Sequence, residues 1–202
     1  MQLAIIGAGN LGAVLGRRLQ GLGHSVRWGV PDPSLSKYAG LEVMTVAEAV
    51  DGAQIVFLAV PWSAAEDAVA HMGPLAGKIL VDITNPIAAD FSGLADLGGI
   101  SAAEHMARWA EGAHVVKAFN TVGHNILENP QFGEQRASLL IATDSDPARQ
   151  VILGLAADLG FAPIDAGPLR MARELESFAW IWITLAMKQG HGREIAFTLV
   201  SR

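Results

Sequence analysis

The 202-residue sequence predicts an α/β fold with a mostly parallel sheet wound on both faces. Three observations carry that expectation. Short apolar runs alternate with longer segments of helical period. The runs are continuous rather than alternating, as strands covered on both faces require. A glycine-rich loop follows the first run at once and opens a helical segment.

Leu3–Ile6 is the first strand, ended by Gly7. Leu11, Val14, Leu15, Leu19 and Leu22 then recur at helical spacing, and Gly23 is placed to stop that helix. His24–Trp28 reads as the second strand, with Gly29 at its end. Gln54–Val60, Lys78–Ile83, His114–Phe119 and Ser138–Ala142 are the third to sixth strands, and Phe161–Ile164 is a last short one. Helices fit at 45–51, 62–72, 101–111 and 145–159. From Pro168 to Gln189 the positions Leu175, Phe178, Ala179, Trp182, Leu185 and Ala186 draw a wide apolar helical face. No repeat, low-complexity run or linker interrupts the chain. Residues 1–166 are expected to form one domain, with 167–202 as a helical segment packed on it or on a partner subunit.

Composition narrows the function. Hydrophobic residues make up 51% and charged residues 17%, which is too apolar for a disordered chain. The net charge of −6 provides no basic field for a nucleic-acid backbone or an anionic membrane surface. With no cysteine, disulfides, thiolate metal sites, iron–sulfur clusters and cysteine nucleophiles are excluded together. No apolar run reaches the roughly 20 residues that span a bilayer, and Met1-Gln2-Leu3 begins without the basic region of a signal peptide. A soluble, cytoplasmic protein is the expectation. His71, His105, His114 and His191 show no metal-ligand spacing.

Gly7-Ala8-Gly9-Asn10-Leu11-Gly12 is a G-x-G-x-x-G between a strand and a helix. Gly7 permits the tight turn, Gly9 lets backbone approach a pyrophosphate, and Gly12 allows close helix–strand packing. The free N–H groups and positive dipole at the helix start favour phosphate there. This context predicts a Rossmann-type dinucleotide-binding fold. The end of the second strand then chooses the cofactor: an acid bonds the ribose 2′-OH of NAD, and Arg accommodates the 2′-phosphate of NADP. The stretch here is Trp28-Gly29-Val30-Pro31-Asp32-Pro33-Ser34. Asp32 lies near the spacing of the NAD-type acid and equally suits a turn. Arg27 and Lys37 are the nearest candidate phosphate partners.

Three more segments fall at strand ends, where ligands bind in open α/β sheets. They are Ala59-Val60-Pro61-Trp62, Asp82-Ile83-Thr84-Asn85-Pro86 and Lys117-Ala118-Phe119-Asn120-Thr121. With Gly9-Asn10-Leu11-Gly12, and with Asp165-Ala166-Gly167-Pro168-Leu169, Arg173 and Leu175-Glu176, they give the chain a specific likeness. It resembles the NADPH-dependent reductases of the deazaflavin coenzyme F420, a family shared with the N-terminal reductase domain of the six-transmembrane metalloreductases.

The resemblance implies roles for individual residues. Ala8, Gly9, Asn10 and Leu11 would hold the pyrophosphate, and Val60, Pro61 and Ala64 would line the adenine and ribose side. Asn85, Pro86, Ile87, Ala118, Phe119 and Asn120 would surround the nicotinamide and the acceptor ring, and Ile195 would close over the site. Where the family carries a Ser-Arg pair that grips a 2′-phosphate, this chain has Val30-Pro31. The implied cofactor is NADP or NAD, and the implied co-substrate is a deazaflavin or a flavin.

Hydride transfer between such rings needs alignment and exclusion of water rather than acid–base help, so no obligatory catalytic side chain is expected. Asn120 and Thr121 are candidates for orienting the carboxamide or a ring carbonyl, and His124 for donating to a reduced ring. Trp180 and Trp182, two apart on a helix, point to different faces. With Phe178 and Ile181 they suggest a homodimer. Two other readings remain open: a non-catalytic NAD(P)-binding sensor or partner module, and a reductase of another small acceptor. The hydroxyacid and imine reductases begin with a similar loop but append a helical domain for which this chain has no room.

Overall fold

The computed structural model describes residues 1–38 and 40–202. Its centre is an eight-stranded sheet. In chain order the strands and helices begin β1 (Gln2–Ile6), α1 (Asn10–Gly21), β2 (Ser25–Val30), β3 (Val43–Thr45), α2 (Val46–Val50), β4 (Ile55–Leu58) and α3 (Ala65–Ala70). They continue with β5 (Ile79–Asp82), α4 (Ala102–Trp109), β6 (His114–Lys117), α5 (His124–Glu128) and the two-residue strands β7 (Gln131–Phe132) and β8 (Gln135–Arg136). The last are β9 (Ser138–Thr143), α6 (Asp146–Asp158), β10 (Ala162–Gly167) and α7 (Ala172–Met187).

Strand order is β10-β9-β6-β5-β4-β1-β2-β3, with β7 and β8 forming a separate hairpin. The first half winds outward from β1 to β3, then returns across β1 to β4. The order therefore reverses between β1 and β4, and a crevice opens outside their C-terminal ends. All pairings in the large sheet are parallel except that of β6 with β9, where Val116 lies opposite Thr143 and Lys117 opposite Ala142. The Thr143 hydroxyl donates to the Val115 carbonyl at 2.6 Å across this reversed pair. The predicted α/β, doubly wound sheet and the helix near its C-terminus are present.

Strand parity sorts the core into two layers. Leu3, Ile5, Ile55, Phe57, Val81 and Val116 point to one face, where α1, α5 and α6 cover them. Ala4, Ile6, Val56, Leu58, Leu80 and Val115 point to the other, beneath α2, α3, α4 and the start of α7. On the first face the Arg18 guanidinium donates to the carbonyls of Leu127, Glu128 and Leu159 at 2.7–2.8 Å, tying α1 to the ends of α5 and α6.

Several boundaries differ from the sequence reading for identifiable reasons. β2 continues through Gly29 because that residue pairs with both Ile6 and Met44. Thr45 does not enter α2 but caps it, accepting from the Glu48 N–H while Glu48 reaches back to the Thr45 N–H. The helices expected from 62 and from 168 each open with a tight 3₁₀ turn, Trp62–Ala64 and Leu169–Met171. β3, α5 and the β7–β8 hairpin have no counterpart in the sequence reading.

Beyond α7 the chain runs back over the first face. The Asn125 amide donates to the Arg193 carbonyl at 2.7 Å, the Trp182 indole to the Ile195 carbonyl at 2.8 Å, and the Ser138 N–H to the Phe197 carbonyl at 2.9 Å. No helix among the described residues is long and apolar enough to cross a membrane.

Candidate dinucleotide-binding site

The glycine loop fills the turn between β1 and α1. Gly7 takes φ +107°, and a Cβ there would lie 2.4 Å from the Ala59 carbonyl oxygen, so β1 and β4 could not both end where they do. A Cβ on Gly12 would lie 2.1 Å from the Gly7 carbonyl oxygen, which fixes how closely α1 approaches the strand. Gly9 differs from both: its conformation is extended, and nothing lies within 4 Å of a Cβ built there. That open space faces the start of α1. No side chain caps this helix and no acid lies in its first turn, so its first N–H groups are left for an anion. Trp28 braces the loop from below, its indole N–H donating to the Gly12 carbonyl at 3.1 Å.

Beside the loop is a cavity of about 310 Å³ between the ends of β1, β2 and β4. Gly7, Val30, Pro31, Val60 and Ala64 line it with Val46 and Ala47 at the start of α2, and Asp67 of α3 and His71 just after that helix complete the lining. Asp32 and Lys37 are exposed and lie outside that lining. Asp32 closes a turn on itself: its Oδ1 accepts from the Ser34 N–H at 2.9 Å and from the Ser34 hydroxyl at 2.6 Å. Those two bonds hold its carboxyl below the usual carboxylate range.

On the other side of the loop, β5 and β6 present two amides. The Asn85 Nδ2 donates to the Asn120 carbonyl at 2.8 Å, and the Asn120 Nδ2 donates to Asn85 Oδ1 and to the Leu175 carbonyl, each at 3.1 Å. Asn120 Oδ1 and Thr84 Oγ1 are buried and accept no hydrogen bond among the described residues. Unpartnered buried acceptors are rare and call for a donor from a ligand or an ordered water. Phe119, between Ala118 and Asn120, takes the left-handed φ of +62°. Its ring turns into the core, edge-on to Phe57 and Phe161 with centroids 6.1 and 6.3 Å away.

Comparison with known proteins fits this geometry. Residues 2–86 match the family described as NADP oxidoreductase, coenzyme F420-dependent. Over those residues the chain is similar to this family. The rat metalloreductase STEAP3 is 33% identical over 182 residues, covering 87% of the chain and 36% of the relative. The chain thus spans about a third of the length of the curated relatives it matches. Among solved structures, that of a candidate F420-dependent NADP reductase from Arthrobacter sp. FB24 is 28% identical, with a TM-score of 0.88 over the whole of both chains. A reductive aminase from Aspergillus terreus solved with NADPH shares the fold at 17% identity and TM-score 0.67, the match covering 94% of this chain and 62% of that one.

The segments that carry the family likeness separate in space. Gly9–Gly12, Val60–Pro61, Thr84–Pro86 and Ala118–Asn120 lie along one edge of the sheet, and Ile195 is brought to the same end by Trp182. Asp165–Leu169 does not join them. Because β9 and β10 run opposite to β6, this segment ends at the far edge, where the Leu169 N–H donates to Asp144 at 3.0 Å. Thr121 is buried and His124 half-buried at the start of α5. The apolar residues of the α7 face divide as their spacing requires, with Trp182 buried and Trp180 half-buried.

Sequence reasoning missed a buried charge cluster beneath the amides. Lys117 Nζ lies 2.9 Å from Asp82 Oδ2 and 3.0 Å from Glu176 Oε1, and donates to the Thr84 carbonyl at 2.6 Å. The Glu176 carboxylate also accepts from the Ala102 N–H at 3.2 Å. Burial alone would push Lys117 down, but Asp82 and Glu176 outweigh it and hold the ammonium above the ordinary lysine value. Burial pushes Glu176 up, with Lys117 opposing. A charged residue closing each of two neighbouring apolar strands was the available signal.

Proposed function

We propose that this chain is an oxidoreductase. It binds a nicotinamide dinucleotide along Gly7–Gly12 and exchanges hydride with a flat, flavin-like ring, a deazaflavin or a flavin, beside Asn85 and Asn120. The observation that carries the reading is the continuous run of complementary surfaces along one sheet edge. The apolar cavity lies at the end of β2, the uncapped helix start at β1, and the paired amides at β5 and β6.

The bound dinucleotide supplies the hydride chemistry. The first-turn N–H groups of α1 hold the pyrophosphate, in the open space left by Gly9. Val30, Pro31, Val60 and Ala64 enclose the adenosine side. Asn120 Oδ1 is suited to accept from a carboxamide N–H, and its own amide is fixed by Asn85 and Leu175. Pro86, Ile87 and Ile195 exclude water from the ring. The match of residues 2–86 to an F420-dependent family supports the deazaflavin, and the likeness to a metalloreductase supports redox chemistry more broadly.

An anaerobic assay of nicotinamide absorbance tests this, with deazaflavin coenzyme, FMN, FAD and riboflavin offered in turn. Oxidation of the nicotinamide by any of these is expected. Binding of the dinucleotide without oxidation by any acceptor would favour the sensor reading. We also read the protein as a homodimer, with Ile181 and Met187 of α7, 50% and 51% exposed, as the surface to be covered. A monomer mass in light scattering would remove that part.

A further inference from the structure

We propose that the turn after β2 selects NADH over NADPH. The inference rests on the dinucleotide reading above and specifies the cofactor within it. In this fold the end of the second strand meets the 2′ position of the adenosine ribose. A 2′-phosphate there brings close to two negative charges and needs cations or N–H donors around it.

The turn Val30-Pro31-Asp32-Pro33-Ser34 offers almost none. Val30 and Pro31 line the cavity with hydrocarbon, and Val30 is fully buried. Pro31 and Pro33 have no N–H at all. The Ser34 N–H and hydroxyl, the natural donors of such a turn, are both spent on Asp32 Oδ1. What the turn itself retains is the Asp32 N–H, with its own carboxylate next to it.

The nearby cations already have partners of their own. The Arg27 guanidinium donates to the Glu48 and Asp51 carbonyls at 3.2 and 2.9 Å, which holds it against α2. Lys37 lies over the Tyr38 ring, 4.9 Å from its centroid, where its charge also favours the ionised Asp32 carboxylate. Asp67, at the cavity edge, adds a second carboxylate, with His71 facing it at 3.6 Å. A 2′-phosphate would thus meet Asp32 and Asp67 across an apolar wall. A 2′-hydroxyl meets no such penalty. It can donate to Asp32 Oδ2, the oxygen that Ser34 leaves free, one residue beyond the cavity lining.

The experiment titrates the full chain separately with NADH and NADPH, following nicotinamide fluorescence at fixed ionic strength. NADH is expected to bind at least tenfold tighter. The double variant Pro31→Arg, Asp32→Ser, which changes only exposed positions, is expected to keep the melting temperature and shift the preference at least tenfold toward NADPH. Equal or tighter binding of NADPH by the natural chain overturns the proposal while leaving the dinucleotide reading intact. So does an unchanged ratio in a double variant that melts normally. Binding of neither nucleotide overturns the dinucleotide reading itself, and this proposal with it.

Discussion

The Lys117 ammonium lies 2.9 Å from the Asp82 carboxylate, and neither side chain has any exposure to solvent. The two residues are register partners at the ends of adjacent strands, β5 and β6. Charges so deep persist only when each is paired and hydrogen-bonded. Lys117 meets that condition through Asp82, Glu176 and the Thr84 carbonyl, and Asp82 through a further bond from the Thr84 N–H at 2.8 Å. Thr84 precedes Asn85, and Asn120 follows Lys117 by three residues. The ion pair therefore fixes the spacing of the two amides that face the proposed ring site.

Removing the cation should be costly. Lys117→Met leaves Asp82 and Glu176 buried without a counter-charge, and we expect a loss of about 3–5 kcal/mol of stability in urea denaturation. A loss below about 1 kcal/mol would mean that the carboxylates simply take up protons and that the ammonium fixes little.

The glycines of the loop should separate folding from binding. Gly9→Ala adds a methyl group into open space and should melt like the natural protein. It should nevertheless bind dinucleotide roughly tenfold or more weakly, about 1.4 kcal/mol, because that space is where a phosphate would approach. Gly12→Ala must displace the Gly7 carbonyl and should lower the melting temperature as well. Calorimetry of both variants with and without nucleotide checks the contrast; equal affinity of Gly9→Ala and the parent would remove the phosphate from that space.

Gly16 and Trp28 form a packing pair on which the loop rests. A Cβ on Gly16 would come within 2.1 Å of the indole ring. Overpacking of this kind costs about 1–3 kcal/mol, and here it also pushes on the Gly12 carbonyl through the indole N–H. We expect Gly16→Ala to lower both stability and nucleotide affinity, whereas Gly21→Ala, on the open side of the same helix, should lower neither.

Glu104 should contribute a measurable acid dependence. The Arg173 guanidinium, 2.7 and 2.8 Å away, together with the Ser101 N–H and hydroxyl, holds its carboxyl at about 2 against an ordinary 4.5. The folded state thus binds this proton less readily than the unfolded chain. The associated stability is fully present above pH 4.5 and is lost as the pH falls toward 2. Arg173 is half in solvent, so about 1 kcal/mol is the expected size. Glu104→Gln should be less stable than the parent at pH 6 by that amount, and the gap should close in acid.

The sequence makes the first half of this molecule readable because its signals are local. Leu3–Ile6 is a covered strand by composition, Gly7–Gly12 a phosphate loop by spacing, and Leu11 to Leu19 a helix by period. Direction is not local. Ser138–Ala142 is apolar throughout, and such a run carries no mark of whether it will lie parallel or antiparallel to His114–Phe119. That one reversal moves Asp165–Leu169 to the edge away from the candidate site, although its motif likeness groups it with that site. β3 was missed because Val43 and Met44 are only half-buried at the sheet margin, so no apolar run announces them. The charge cluster escaped for a related reason: Lys117 and Asp82 are single polar letters at the ends of strands, and Glu176 reaches them from a helix far along the chain.

The reversed strand β9 also governs the order in which the molecule can be finished. It brings Ser138, the first residue of the strand, to the edge where the final stretch of chain binds, through the Phe197 carbonyl and the Leu199 N–H. Those contacts close a long loop onto a sheet that must already exist, and long-range closures of this kind are slow relative to local helix formation. A chain paused before this docking step would carry a complete glycine loop and an uncovered pair of amides. Pulse-labelling hydrogen exchange during refolding should therefore find the amides of β1 and β4 protected before that of Leu199.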